Sequence, residues 1–385
     1  MVYGRAADWR GGSMLIGTEH EYSINGPGMV PLPQSDRILE ALSGPGASAA
    51  PFGSVTLAKE LQKTVIEVIP ARPAPRIHDL EVMVAAGVAA FCARFGHQYT
   101  LLGLGMHPAL SLSQTRVWDG DEQEYYAVYD RIFGLSQHGW LNIQALQLNL
   151  GYADDRELVA IFNRLRALLP YLAAISAASP FVEGVPAGAM DNRLRYYREN
   201  QRQIPAICNR IVPGELGSRA GYDDWLDRMY RDLRAAGGAA LCNEWVASFG
   251  VIVRFSRRCV ELKVMDEQEC VRSDMALAAF VRALVRADLP FLATDRDDLL
   301  LLLEQAITHG TGELRPELLR LWHAAERSAT PDERPYLPLV RERIEQGSIA
   351  ELLVDRWRED RDLPGIMEDM AGSLRTNIPY AAPRS

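Results

Sequence analysis

Lysine is nearly missing from this chain of 385 residues: of its 41 basic side chains only Lys59, Lys63 and Lys263 are lysines, and the rest are arginine. Positive charge is not in excess either. Fifty acidic residues outweigh the basic ones and leave a net charge of -9, so attraction to a phosphate backbone is not the default and no nucleic-acid partner is expected. That balance does not exclude ATP, because carboxylates can hold magnesium ions that carry its phosphates into a site. The five cysteines, Cys92, Cys208, Cys242, Cys259 and Cys270, are odd in number, scattered and without a CxxC pair, which points to reduced thiols. No G-x-G-x-x-G or Walker turn follows a strand-like run, so those phosphate cradles are missing too. Residues Met1 to Ser13 include arginines but lead into no apolar stretch of the kind a secretory leader carries. The longest apolar runs, around Val82 to Cys92 and Ala167 to Ala178, fall short of the roughly 20 residues that span a bilayer. A soluble cytoplasmic protein with no membrane partner is expected.

What is present is enough apolar residue, 48% of the chain, to bury a core. Length alone suggests roughly two or three units, although one large α+β enzyme domain of this size is also common. Strand-like alternation marks Met14–Ile24, Thr64–Ile69, Tyr99–Gly105, Ala145–Gly151, Ala247–Phe255 and Val260–Val264, with a Gly/Ala/Ser/Pro loop over Ser43–Gly53. Helical spacing marks Ile77–Phe95, Tyr125–Phe133 and Asp155–Ala178, the last with Pro170 as a candidate kink. From Ser273 onward the pattern is mostly helical: Met275–Ala287, Asp297–His309, Pro316–Arg327 and Tyr336–Asp360. This tail either covers the sheet or forms a subunit contact, which leaves a homodimer open.

The strongest local feature is Glu19-His20-Glu21, where strand alternation puts both carboxylates on one face. Two close carboxylates need a compensating cation to stay ionised together, and a divalent ion supplies it. Magnesium prefers several oxygen ligands, so further carboxylates are expected from Glu60, Glu67 and Glu261. Glu67 and Glu261 sit inside apolar runs, where an unpaired carboxylate is costly to bury. The plainer alternative is a solvated sheet face lined with glutamate. His20 falls on the opposite face and reads as structural. His107 in its Gly-Met-His-Pro turn reads as a hydrogen-bonded structural residue, and Trp245 as core or an adenine-stacking ring.

These residues carry a resemblance. Gly17-Thr-Glu-His-Glu-Tyr22 resembles the G-x-E-x-E-(F/Y) opening of the glutamate-cysteine ligase type 2 family, also described as carboxylate-amine ligases. In the same order, Gly105-Met-His-Pro108 resembles the family's G-x-H-P, and Leu146-Gln-Leu-Asn-Leu-Gly151 its H-x-H-V-G strand in the Q-V-N-L form of the plant-like branch. Ser176-Ala-Ala-Ser-Pro-Phe-Val-Glu-Gly184 followed by Arg193, and Val260-Glu-Leu-Lys-Val-Met-Asp266, resemble two later segments. The matches cover about residues 14–290 and imply a single catalytic domain over residues 1–385, with a helical extension over about 291–385.

The resemblance implies a glutamine-synthetase-like fold, a curved and mainly antiparallel sheet covered by helices. It implies ATP-dependent amide formation through an acyl phosphate, with ATP and Mg2+ required, glutamate as donor, and cysteine or another small amine as acceptor. Carried over by motif, Glu19, Glu21, Glu60, Glu67 and Glu261 would bind magnesium. Gln147 and Asn149 stand where many relatives have histidine and would orient substrate or nucleotide. Arg193 would anchor the donor's carboxylate as a bidentate fork. Lys263, where relatives have arginine, and Arg254 would stabilise the transferred phosphoryl group. Two other classes stay open: a small-molecule phosphotransferase, and a noncatalytic nucleotide-binding homologue suggested by Gln147, Asn149 and Lys263.

Overall fold

The computed structural model describes residues 14–208 and 210–381; the Met1–Ser13 segment, read above for a leader, lies outside them. Among the described residues there are ten strands: β1 (Ile16–Asn25), β2 (Ala49–Phe52), β3 (Val55–Lys59), β4 (Val65–Pro70), β5 (Thr100–Leu102), β6 (Ala145–Gly151), β7 (Phe181–Val182), β8 (Val185–Pro186), β9 (Val251–Arg254) and β10 (Cys259–Asp266). Eight of them form one sheet in the order β2-β3-β4-β1-β6-β10-β9, with β5 also pairing β1, and every pairing is antiparallel. β7 and β8 make a separate hairpin. The expected α+β class and antiparallel sheet are observed.

Side-chain alternation divides the sheet into two unlike faces. Leu146, Leu148 and Leu150 of β6, Ile66 and Val68 of β4, and Val260 and Leu262 of β10 point to one side and are buried in the main core. The long helices Ile77–Phe95 and Asp155–Ser176 pack on that side. At about 25 cal/mol per Å2 of apolar surface, each buried leucine contributes about 1.5–3 kcal/mol, so this face fixes the register of every strand. The opposite face carries the polar residues of the same strands.

Helix Asp155–Ser176 runs through Pro170 without a break in assignment. It is, by length and composition alone, apolar enough to cross a membrane, which corrects the expectation that no run reaches that length. Its Leu165, Leu168, Leu169 and Leu172 are buried in the core. The expected Ser43–Gly53 loop contains β2, whose Pro51 is tolerated because β2 is an edge strand and its hairpin turns at Gly53. Expected helix Tyr336–Asp360 is two helices, Leu337–Gln346 and Ile349–Asp360, separated at Gly347 with φ +119°. Helix Arg219–Ala235 was not anticipated from the sequence, whereas Leu363–Thr376 continues the expected helical tail.

Candidate functional site: a carboxylate face ringed by cations

The central strands bring the expected residues together. In register, Glu21 of β1 lies opposite Glu67 of β4, Glu19 opposite Gln147 of β6, and Asn149 opposite Glu261 of β10. Directly opposed residues share a face. Glu19, Glu21, Glu67, Gln147, Asn149 and Glu261 therefore occupy one continuous polar surface, and all six are buried. Glu60 joins them from the loop after β3. The solvated glutamate face of the plainer alternative is thereby excluded.

Four of the five glutamates form a group short of positive charge. Burial, followed by the charge of Glu60, pushes the Glu21 carboxyl up to about 8. Burial raises Glu67 well above its ordinary range, and Glu19 and Glu60 raise it further. Burial also raises Glu60, although Lys59 and Lys263 oppose the shift. Two amides steady this group. Gln147 Nε2 donates to Glu21 Oε1 at 2.8 Å, and Asn149 Nδ2 donates to Glu19 Oε1 at 3.0 Å. The backbone N–H of Ala145 completes the hold on Glu21 Oε2 at 2.8 Å. Gln147 and Asn149 thus orient carboxylates, not each other.

Glu261 behaves differently, and its expected place among metal ligands is not what the geometry favours. Arg254 Nη1 donates to its Oε2 at 2.6 Å and Lys263 Nζ to its Oε1 at 3.1 Å, with Arg257 Nη1 3.8 Å from Oε2. Burial opposes ionisation, but Arg254, Lys263 and Arg257 hold this carboxyl down at about 2. Arg257 also donates to Glu19. It comes from the turn between β9 and β10 and was missed in the sequence, where the run Arg254-Phe-Ser-Arg-Arg258 was the available signal. Of the other lysines, Lys59 pairs with Glu122 and Tyr126 beyond the end of β3. Lys63 pairs with Asp36 and Asp119 away from the glutamates.

Arg193 is not the open substrate fork expected above. It is fully buried, with Nε 2.5 Å from Asp266 Oδ1 and Nη2 donating to the Val264 carbonyl at 2.6 Å. Asp266 Oδ2 accepts from Ser179 Oγ at 2.7 Å and from the Ala178 N–H at 2.8 Å. A Cβ on Gly105 would stand 2.1 Å from the Asp266 carboxyl carbon, so only glycine admits the aspartate there. The glycine, serine, arginine and aspartate of three separate motifs thus meet in one structural hub. Its guanidinium is already committed.

Behind β1, on the apolar side, His20 Nδ1 lies 3.3 Å from Glu267 and 3.2 Å from Asp274, all three fully buried. Among the described residues this is the tight His/carboxylate trio that geometry alone would nominate for a metal. Its atoms are already paired: Glu267 Oε2 accepts the Glu21 N–H at 3.0 Å, Asp274 Oδ1 that of Gln268 at 3.2 Å, and His20 Nε2 meets Thr18 Oγ1 at 3.0 Å. The Glu19, Glu21, Glu60 and Glu67 group suits a hard divalent cation better, since its oxygens suit magnesium and its charge lacks compensation. His107 is structural as expected: buried, bonded to Met29 and Ala109, and held near 4 by burial. Trp245 is not core but 36% exposed, stacked on Tyr125.

Comparison with known proteins places the chain in a family and a fold. Residues 15–375 match the model of glutamate-cysteine ligase family 2, a match that runs through the C-terminal helices beyond residue 290. The chain is 43% identical over 368 residues to an uncharacterized protein of Archaeoglobus fulgidus, covering 95% of this chain and 100% of that one. It is 29% identical over 246 residues to a putative glutamate–cysteine ligase 2-1 of a Nocardioides species, covering 63% of this chain and 58% of that one. With a putative glutamate–cysteine ligase 2 of Ectopseudomonas mendocina it shares 28% identity over 52% of this chain and 49% of that one. The match thus spans about half the length of these two ligase relatives. Among solved structures, a bifunctional glutathione synthetase from Pasteurella multocida superposes with a TM-score of 0.64 at 14% identity, over 95% of this chain and 53% of that one. A Francisella tularensis glutamate–cysteine ligase in complex with AMP gives 0.57 at 12% identity, over 98% and 91%. The fold is therefore the glutamine-synthetase-like ligase fold, and the chain belongs to glutamate-cysteine ligase family 2.

Proposed function

We propose that the protein joins glutamate through its γ-carboxylate to cysteine or another small amine, using ATP. In that reaction a carboxylate oxygen bonds to the γ-phosphorus as ADP leaves, and the amine then bonds to the acyl carbon as phosphate leaves. The observation that carries the reading is the sheet face on which Glu19, Glu21, Glu67 and Glu261, joined by Glu60 from the loop after β3, adjoin three cations, Arg254, Arg257 and Lys263. Glu19, Glu21, Glu60 and Glu67 would hold Mg2+, which when bound neutralises phosphate charge. Gln147 and Asn149 hold Glu21 and Glu19 in orientation. Glu261 keeps Arg254 and Lys263 on the site face, where they offset charge on a transferred phosphoryl group. The substrates on this reading are small molecules and the protein works in the cytoplasm.

ADP release is the test, with MgATP, glutamate and a panel of amines, and mass spectrometry on each mixture. A product equal to glutamate plus amine minus water supports ligation and names the acceptor. A stable phosphorylated small molecule would mean a phosphotransferase, and nucleotide binding without turnover a noncatalytic homologue. Glu21→Gln ligating at the wild-type rate with unchanged magnesium dependence would refute the metal assignment.

A further inference from the structure

We propose that Arg257 is a built-in counter-cation: its guanidinium neutralises Glu19 in the metal-free protein, leaves that carboxylate when a divalent ion binds, and then turns to the nucleotide phosphates. The inference rests on the reading of Glu19, Glu21, Glu60 and Glu67 as a divalent-ion site. Three features of the structure support it. Arg257 Nη1 donates to Glu19 Oε1, the same oxygen that accepts from Asn149 Nδ2, so the guanidinium sits on an atom a metal would need. The same nitrogen is 3.8 Å from Glu261 Oε2, which places it between the under-compensated glutamates and the one already paired with Arg254 and Lys263.

The third feature is where Arg257 comes from. Arg254 and Lys263 extend from strands β9 and β10 and are held by direct bonds to Glu261. Arg257 extends from the turn joining those strands, and its side chain is 25% exposed while that of Glu19 is 7% exposed. A long arginine at a rim changes rotamer without disturbing the core, and it offers a fork that fits phosphate as readily as carboxylate. A divalent cation on the Glu19 carboxylate would repel a guanidinium a few ångström away and weaken its hold on that oxygen, since like charges repel.

The test uses the full chain and Mn2+ as probe, titrated by electron paramagnetic resonance without nucleotide. A fluorescent non-hydrolysable ATP analogue is then titrated at saturating Mn2+. Wild type, Arg257→Gln and Arg257→Lys are compared. Arg257→Gln should bind Mn2+ roughly tenfold more tightly, as expected on removing a unit charge a few ångström away, and the analogue roughly tenfold more weakly. Arg257→Lys keeps the charge and should stay within about threefold of wild type for Mn2+. These opposite signs are not what loss of local structure produces. Arg257→Gln weakening both ligands together, or leaving Mn2+ affinity unchanged, overturns the inference; tighter Mn2+ with unchanged analogue binding overturns the hand-off to phosphate. Absence of saturable Mn2+ binding in the wild type would remove the divalent-ion reading and the inference with it, whereas saturable binding indifferent to Arg257 removes the inference alone.

Discussion

Replacing His20 by glutamine should both destabilise the protein and change how its stability depends on pH. His20 lies between Glu267 and Asp274 at 3.3 and 3.2 Å with no exposure. Removing one partner of such a buried cluster costs about 3–5 kcal/mol, because the remaining carboxylates keep their desolvation without a cation. For 385 residues, about 2.1 cal/mol/K of unfolding entropy per residue sums to about 0.8 kcal/mol/K, so a loss of about 4 kcal/mol lowers Tm by about 5 °C. Burial alone would depress the imidazole, but Glu267 and Asp274 override it and raise His20 to about 10. A group raised on folding contributes stability that is complete below its unfolded value near 6.5 and is lost as pH rises through about 10. The difference in Tm between wild type and His20→Gln, measured by calorimetry from pH 6 to pH 10, should therefore be widest at the acid end and narrow toward the alkaline end. A difference that stays flat across this range would show that His20 is not held as the cation of the trio. A drop below about 1 °C at pH 6 would refute the buried ion-pair argument altogether.

Other outcomes follow from the same contacts. Arg193→Lys should cost about 3–5 kcal/mol in urea unfolding, since an ammonium cannot reproduce the fork on Asp266 and the Val264 carbonyl; unchanged stability with a raised KM for glutamate would restore the substrate-anchor role. Gly105→Ala should destabilise by about 1–3 kcal/mol or more through the clash with Asp266, read by the same unfolding curve. Glu21, Glu60 and Glu67 are all raised on folding, so their contribution is complete below about 4.5 and falls as pH rises, for Glu21 through about 8. Melts without metal should show this decline between pH 5 and 8, and Mg2+ should reduce it; melts indifferent to Mg2+ at pH 8 would count against the glutamate group as its site.

Local chemistry explains which parts of this protein could be read in one dimension. Period-two alternation at Glu19-His20-Glu21, Leu146–Leu150 and Val260–Leu262 determined both the strands and their two faces, because a half-buried strand can satisfy its core in only one register. The edge hairpin β2–β3 escaped because its proline and glycine read as a loop, and only pairing with β4 makes it sheet. Helix Arg219–Ala235 was hidden by its charge, and its apolar stripe Tyr222, Leu226, Met229 and Leu233 is narrow.

The division within the site runs along the same line. Residue type and spacing were sufficient to nominate Glu19, Glu21, Glu60, Glu67 and Glu261 with their two amides, since carboxylates in apolar strands need partners wherever they lie. Which partner each one has was decided by tertiary structure, because cation and carboxylate come from segments far apart in the chain. Arg193 is drawn to Asp266 across 73 residues and becomes a clamp. Arg257 reaches Glu19 across 238 residues and becomes its counter-cation. Sequence by itself thus determined the chemical groups and the face they share; only the assembled sheet, by setting distances over which Coulomb energies change severalfold, decided which glutamates are neutralised and which are left short of positive charge.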